Sequence, residues 1–133
     1  MDCPVCREAM VVFELERIEI DHCLKCGGIW LDAGELELLL ESAANKEVVL
    51  NSFEIYEKDK EQKRKCPICL KKMQKVLCGQ TKKILIDKCR NQHGLWFDLG
   101  ELYEIITMGS LDKDNRILLM LKDMFKEDLK KVK

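Results

Sequence analysis

The reactive side chains of this 133-residue chain are its cysteines: Cys3, Cys6, Cys23, Cys26, Cys66, Cys69, Cys78 and Cys89. Three pairs, Cys3/Cys6, Cys23/Cys26 and Cys66/Cys69, enclose two residues each. That spacing makes a tight turn from which both thiolates reach one ion. Structural zinc sites are commonly built from two such knuckles, which supply four nitrogen or sulfur ligands in a tetrahedron. Cys3, Cys6, Cys23 and Cys26 form a complete set, with sixteen residues between the knuckles. An even cysteine count in a short secreted chain would instead indicate disulfides. The opening "MDCPVC" has no basic start and no apolar stretch, so no signal peptide is expected and the cytoplasm is the expected compartment. In that reducing setting metal chelation is the expectation.

The second set has three certain members, Cys66, Cys69 and Cys89, and needs a fourth. The stretch "DKCRNQHGLWFDLGEL" (87–102) repeats "DHCLKCGGIWLDAGEL" (21–36), but Gln92 stands where the first copy has Cys26, and His93 follows one position later. Cys78 is the other candidate, yet it falls in the turn region of a hairpin, away from the partner knuckle. His93 is the better choice because the extra residue widens the knuckle and imidazole has a different reach. The expectation is one Cys₄ site and one Cys₃His site holding two zinc ions. His22 also neighbours a ligand, but its set is already complete, so it is expected to be a surface residue at a strand end.

A closed sphere of four ligands leaves no position for water or substrate. The zinc-deaminase pattern is missing, since neither His22 nor His93 has Glu two residues on. Phosphate-loop and dinucleotide glycine patterns are missing too, and the Cys-x-x-Cys pairs lack the βαβ context of a thiol oxidoreductase. No enzyme activity and no small-molecule substrate are expected.

The elements that must position these ligands come from a duplication. Each copy opens with Cys-Pro-(Val/Ile)-Cys, places Met10 or Met73 four residues after the second Cys, and ends in Trp-x-Asp-x-Gly-Glu-Leu. Cys3 and Cys66 are offset by 63 residues, Trp30 and Trp96 by 66. Three extra residues therefore lie inside the second copy, most naturally at "LCGQTK" (77–82), where Gly79 suits a tight turn. "AMVVFELE" and "RIEID", then "KMQKVLC" and "KKILID", read as antiparallel strand pairs. Asp32 and Asp98, each three residues before Glu35 or Glu101, form a capping-box pattern at a helix start. Leu36, Leu39 and Leu40 recur as Leu102, Ile105 and Ile106, one helical face kept in both copies. Gly109 is the expected cap of the second helix.

The predicted fold class is therefore small metal-bound α+β: two zinc-ribbon hairpins, each followed by a short helix. The expected organisation is ribbon 1 with its helix over 1–44, a helical and charged linker over 45–65, ribbon 2 with its helix over 66–109, and a C-terminal amphipathic helix over 110–133. In the linker Val49, Phe53 and Tyr56 predict a helix to about Lys60. In the C-terminal segment Ile117, Leu121, Met124, Phe125, Leu129 and Val132 make the apolar stripe. Units of about 40 residues are too small to hold by core packing alone, and metal binding in such modules is coupled to folding, with about 10–16 kcal/mol apparent free energy.

Charge is divided unevenly. Residues 1–65 carry 9 Lys/Arg against 15 Asp/Glu, a net of −6, whereas residues 66–133 carry 14 against 9, a net of +5. Between 63 and 90 ten basic residues meet one acid, Asp87. A block of that sign is the electrostatic footprint of a nucleic-acid or acidic-partner surface. The candidate contacts are Lys71, Lys72, Lys75, Lys82, Lys83, Lys88 and Arg90. The longest apolar run, "ILLML" at 117–121, is far short of the roughly 20 residues that span a bilayer, so no membrane association is expected.

The run Cys-Pro-x-Cys, strands, Asp-x-Cys-x-x-Cys-Gly-Gly-x-Trp-Leu-Asp-x-Gly-Glu-Leu resembles the transcription factor IIB-type zinc-ribbon family of small prokaryotic proteins. Cys3–Leu40 follows it closely; Cys66–Ile106 looks like the variant ending in Cys-x-x-x-His-Gly-Leu-Trp-Phe-Asp. The resemblance implies zinc ligands at Cys3, Cys6, Cys23 and Cys26, then Cys66, Cys69, Cys89 and His93. It implies a ribbon of the kind that docks on RNA polymerase. The function expected is a non-catalytic zinc-binding module that binds nucleic acid or a nucleoprotein machine, of transcription or translation, through the basic second ribbon. The alternative is a protein–protein adaptor with structural zinc and no nucleic-acid contact.

Overall fold

The computed structural model describes residues 1–15, 17–41, 46–56, 64–79 and 83–109. The C-terminal helix expected over 110–133, and Lys82, lie outside the described residues.

Alternation of apolar and polar residues produces the strands. β1 (Val11–Leu15) and β2 (Ile18–His22) form the first hairpin, β5 (Gln74–Cys78) and β6 (Ile84–Lys88) the second. The first hairpin connection holds two residues, 16–17, and the second five, 79–83, so the three extra residues fall where the offsets predict. Each hairpin gains a third strand that sequence periodicity does not predict: β3 (Ile29–Asp32) beside β2 and β7 (Gly94–Phe97) beside β6. These two third strands then pair with each other, antiparallel, with Trp30 opposite Trp96. One seven-stranded sheet results, in the order β1-β2-β3-β7-β6-β5-β4.

The register makes this junction nearly two-fold symmetric. Ile29 faces Phe97 and Leu31 faces Leu95, each the partner of the other's equivalent in the repeat. One row crosses the sheet as Val12, Asp21, Trp30, Trp96, Asp87 and Lys75. A mirrored order holds until the outermost pair, Val12 and Lys75. The symmetry depends on two glycines. A Cβ on Gly28 would come within 2.1 Å of the Trp96 ring. A Cβ on Gly94 would lie 2.2 Å from the Leu31 carbonyl oxygen and 2.7 Å from the Trp30 ring. Each tryptophan thus lies over the glycine of the other copy.

Helices cover one face of the sheet. α1 (Glu35–Leu39) and α3 (Glu101–Gly109) start soon after the third strands, and Leu36, Leu39, Leu40, Leu102, Ile105 and Ile106 are buried as their pattern predicts. They pack with Ile20, Ile29, Leu31, Ile86 and Phe97 in the larger core. The opposite face carries both tryptophans, Met73 and the knuckle cysteines in a second cluster. Gly109 is the last residue of α3.

Two local expectations need correction. Asp32 and Asp98 do not cap the helices with their side chains. α1 is preceded by Gly34 at φ 90°, with no side-chain cap. Instead Asp32 accepts a hydrogen bond from Trp30 Nε1 at 2.8 Å, and Asp98 one from Trp96 Nε1 at 3.1 Å. Only the returning half of the capping box forms: Glu35 accepts the Asp32 amide and Glu101 the Asp98 amide, both at 2.6 Å. A buried indole N–H needs an acceptor, and each aspartate supplies it to its tryptophan in place of capping a helix.

The linker is likewise not one helix to Lys60. α2 (Lys46–Leu50) stops at Asn51-Ser52, and β4 (Glu54–Ile55) joins the edge of β5. Ser52 ends the helix by donating its hydroxyl to the Val49 carbonyl at 2.6 Å, and accepts the Gly79 amide at 2.8 Å. The exposed ladder of β5 offers more backbone bonds than a further helical turn, and Tyr56 N–H donates to the Lys75 carbonyl at 2.9 Å.

Candidate metal centres

Each knuckle is shaped by backbone bonds and one left-handed residue. The Arg7 amide donates to the Cys3 carbonyl at 2.9 Å and the Leu70 amide to the Cys66 carbonyl at 2.8 Å, with φ 66° and 62° at those two residues. In the second knuckle of unit 1 the Gly27 amide closes on the Cys23 carbonyl, and Gly27 has φ 80°. Its counterpart closes one residue sooner. The Gln92 amide reaches the Cys89 carbonyl at 3.2 Å and Gln92 takes φ 62°. Both loops still end on equivalent glycines, since Cys23 N–H donates to the Gly28 carbonyl and Cys89 N–H to the Gly94 carbonyl. The earlier closure leaves His93, not Gln92, to complete the set.

The ligand atoms of Cys3, Cys6, Cys23 and Cys26 lie within 4.8 Å of one another, and so do those of Cys66, Cys69, Cys89 and His93. Tetrahedral zinc with Zn–S bonds of about 2.3 Å requires sulfurs about 3.8 Å apart. Cys3 to Cys26 and Cys69 to Cys89 are both 3.7 Å. For imidazole nitrogen at about 2.05 Å the expected N···S separation is about 3.6 Å. His93 Nδ1 lies 3.4 Å from Cys89 Sγ and 4.0 Å from Cys66 Sγ.

The electrostatics also fit a cation. Burial raises the thiols of Cys3 and Cys26, and pushes Cys66 up to about 11. Crowded thiols that resist ionisation become thiolates when a divalent ion occupies the centre. Backbone donors favour the charged form: the Val5 and Cys6 amides reach Cys3 Sγ at 3.3 Å, and the Ile68 amide reaches Cys66 Sγ at 3.4 Å. The Lys71 amide, with help from His93 and the neighbouring thiols, pulls half-buried Cys69 down to about 6. The two clusters fit two zinc ions.

Cys78 lies apart from both clusters. It is buried beside α2, with Ser52 Oγ at 3.8 Å and the Val49 carbonyl at 4.0 Å, and burial pushes its thiol up to about 11. His22 is not the surface residue expected. It is buried, its Nδ1 lies 3.2 Å from the Gly28 carbonyl, and its ring meets Phe13 edge-on at 5.4 Å. It therefore braces the second knuckle from the helix-covered face.

The basic block divides in two. Lys75 is only 3% exposed and its Nζ lies 2.9 Å from Asp87 Oδ1, so it cannot serve as a surface contact. Arg64 binds Asp98 at 2.6 Å and lies 3.5 Å from Asp87. Lys83 pairs with Glu54 at 2.9 Å. Lys71, Lys72 and Arg90 are exposed and Lys88 is half-buried. Lys65 bridges Lys72 across the first knuckle of unit 2. The pairing of Lys75 with Asp87 was readable from the hairpin, since the turn length sets that register.

An antiparallel sheet, few helices and two four-ligand clusters define a small zinc-binding α+β protein. Residues 2–42 match the family described as transcription factor zinc-finger, of the TFIIB zinc-ribbon type. The second cluster, at 66–93, lies outside the matched residues and is consistent with a second ribbon. No curated protein and no solved structure matches the chain significantly. Among the described residues no helix is long and apolar enough to cross a membrane.

Proposed function

We propose that the chain is a non-catalytic module of two tandem zinc ribbons, each with its following helix, joined by residues 45–65, that binds nucleic acid or a nucleoprotein machine through unit 2. The observation that carries this reading is the set of exposed cations around the second metal cluster. Lys71, Lys72 and Arg90 stand where unit 1 has Glu8, Ala9 and Leu24. Flexible cations on short, metal-stiffened turns suit phosphate contacts, which fix position without reading sequence. Thiols kept free for metal support a cytoplasmic setting.

The test is titration of the zinc-loaded full chain with random-sequence DNA and RNA at low salt, followed by a salt series. Binding should weaken linearly on a log–log plot, by about 0.9 per phosphate contacted on duplex DNA. The combined Lys71→Glu, Lys72→Glu and Arg90→Glu variant should lose binding and keep both metals. A zinc-loaded chain that shows no binding at low salt leaves the second reading, a protein adaptor. That reading is favoured by the internal pairing of Lys75, Arg64 and Lys83 with acids.

A further inference from the structure

The repeat is covered unequally at its two outer edges. On unit 2, β4 pairs along β5, with Glu54 opposite Leu77 and Ile55 opposite Val76. Val76 and Cys78 are buried there. On unit 1 the equivalent strand, β1, ends the sheet, and among the described residues nothing pairs with its outer side. Val12 is 62% exposed, and Val11 and Phe13 are each 37% exposed. An open edge with apolar side chains is a template for another strand.

The carboxylates beside the two edges differ in the same way. Asp87 and Asp98 of unit 2 hold the Lys75 ammonium and the Arg64 guanidinium. Their unit 1 equivalents are Asp21 and Asp32, joined by Glu35 and by exposed Glu19. At the positions of Lys75 and Arg64 unit 1 has Val12 and Met1, so no side-chain cation stands there and Asp21 feels only the Met1 terminal ammonium among the described cations. The backbone equivalence is direct, since the Met1 carbonyl accepts the Met10 amide as the Arg64 carbonyl accepts the Met73 amide. Unit 2 therefore shows what both features accept when satisfied: a strand on the edge and cations on the acids.

We propose that β1 is a docking edge for an extended basic segment of a protein partner, added antiparallel as β4 is to β5, with a Lys or Arg set opposite Val12 reaching Asp21 and Asp32. The geometry allows it. In the register of β4, the docked residue corresponding to Tyr56 would face Val12, on the side of the sheet that carries Asp21. Two strand spacings, about 9.6 Å, separate that residue from β2, and a long cationic side chain can cross the small Val12 to the carboxylates. Pairing between two copies of β1 is disfavoured, because it would put Glu14 of both copies on one face of the joined strands, beside the acids of β2.

The test uses the zinc-loaded full chain labelled with nitrogen-15 and a short acetylated, amidated peptide alternating lysine and valine. Saturable shifts and slowed amide exchange are expected along Val11–Leu15. A glutamate–valine peptide should give neither. Methylating alternate backbone nitrogens of the lysine peptide should weaken binding about tenfold or more. Val12→Lys supplies the missing cation from within and should weaken the peptide by about tenfold with zinc content unchanged, whereas Val12→Thr should not. Absence of binding, equal binding of the methylated peptide, or shifts centred away from β1 would overturn the proposal. So would concentration-dependent dimerisation through β1 that the peptide fails to displace.

Discussion

Trp30 and Trp96 stand directly opposite one another at the centre of the sheet, each fully buried and each over the other copy's glycine. Their indole N–H groups are turned outward to Asp32 and Asp98. The recurring Gly-x-Trp-x-Asp is therefore more than a support for its own knuckle: it is the surface by which the units join.

Gly94→Ala should accordingly destabilise the whole chain rather than unit 2 alone. The added methyl meets the Leu31 carbonyl, part of the rigid backbone, so a loss of about 1–3 kcal/mol is expected. Gly28→Ala meets the fully buried Trp96 ring at 2.1 Å and should cost a similar amount. Urea unfolding of zinc-saturated protein, followed by tryptophan fluorescence, measures both.

Metal content distinguishes the candidate fourth ligands. His93→Ala should lower bound zinc from two ions to one in the presence of a competing chelator, while Cys78→Ser keeps two. Stripping both ions should abolish the knuckle turns and most amide protection, since zinc binding is folding free energy in units this small. Elemental analysis and circular dichroism of the metal-free chain check the two statements. A fully metallated His93→Ala would show the ligand assignment to be wrong.

The Lys75–Asp87 pair gives a sharper test of burial. Lys75→Ala leaves a carboxylate that is 1% exposed with, among the described residues, the more distant Arg64 as its remaining cation, and should cost about 3–5 kcal/mol. Lys75→Met combined with Asp87→Leu removes both charges at similar volume and should recover most of that loss. A double-mutant cycle by denaturant unfolding measures the coupling, and additive single effects would argue against the pair.

Glu101 predicts a pH dependence. Burial, opposed by its bond from the Asp98 amide, pushes its carboxyl up to about 7 from the ordinary 4.5. The folded state therefore binds a proton that the unfolded state releases. Its favourable contribution is full below about pH 4.5 and is lost as pH rises through about 7. Glu101→Gln, which keeps the accepting oxygen, should gain stability relative to the parent between pH 5 and 8, on the order of 1–2 kcal/mol. Holding zinc saturated and comparing the two proteins at each pH isolates this term from ligand protonation.

What the sequence reveals about this molecule follows the range of each interaction. Cysteine spacing is local, so the ligand sets, both hairpins and the buried faces of α1 and α3 could be read directly. β3 and β7 could not, because "IWLD" and "GLWF" are short apolar runs whose partner lies sixty-six residues away. The same holds for β4: Val49, Phe53 and Tyr56 do fit helical spacing, but the open ladder of β5 decides the outcome. Lys75 was misplaced for a related reason. Its charge suggested a surface, whereas its partner across the hairpin is Asp87 and its side chain is buried. The TFIIB-type ribbon resemblance fits the match over residues 2–42, whereas unit 2 is recognised through its ligand cluster and its repeat of unit 1.

The near-symmetry of the β3–β7 ladder has a consequence for assembly. A strand edge that accepts its own repeat does not distinguish between the unit 2 that follows it in the chain and the unit 2 of another molecule. At high concentration two chains can exchange units and keep every ladder bond, giving a domain-swapped dimer whose four metal sites are built as before. Residues 45–65 oppose this exchange through the high effective concentration they impose on the chain's own two halves.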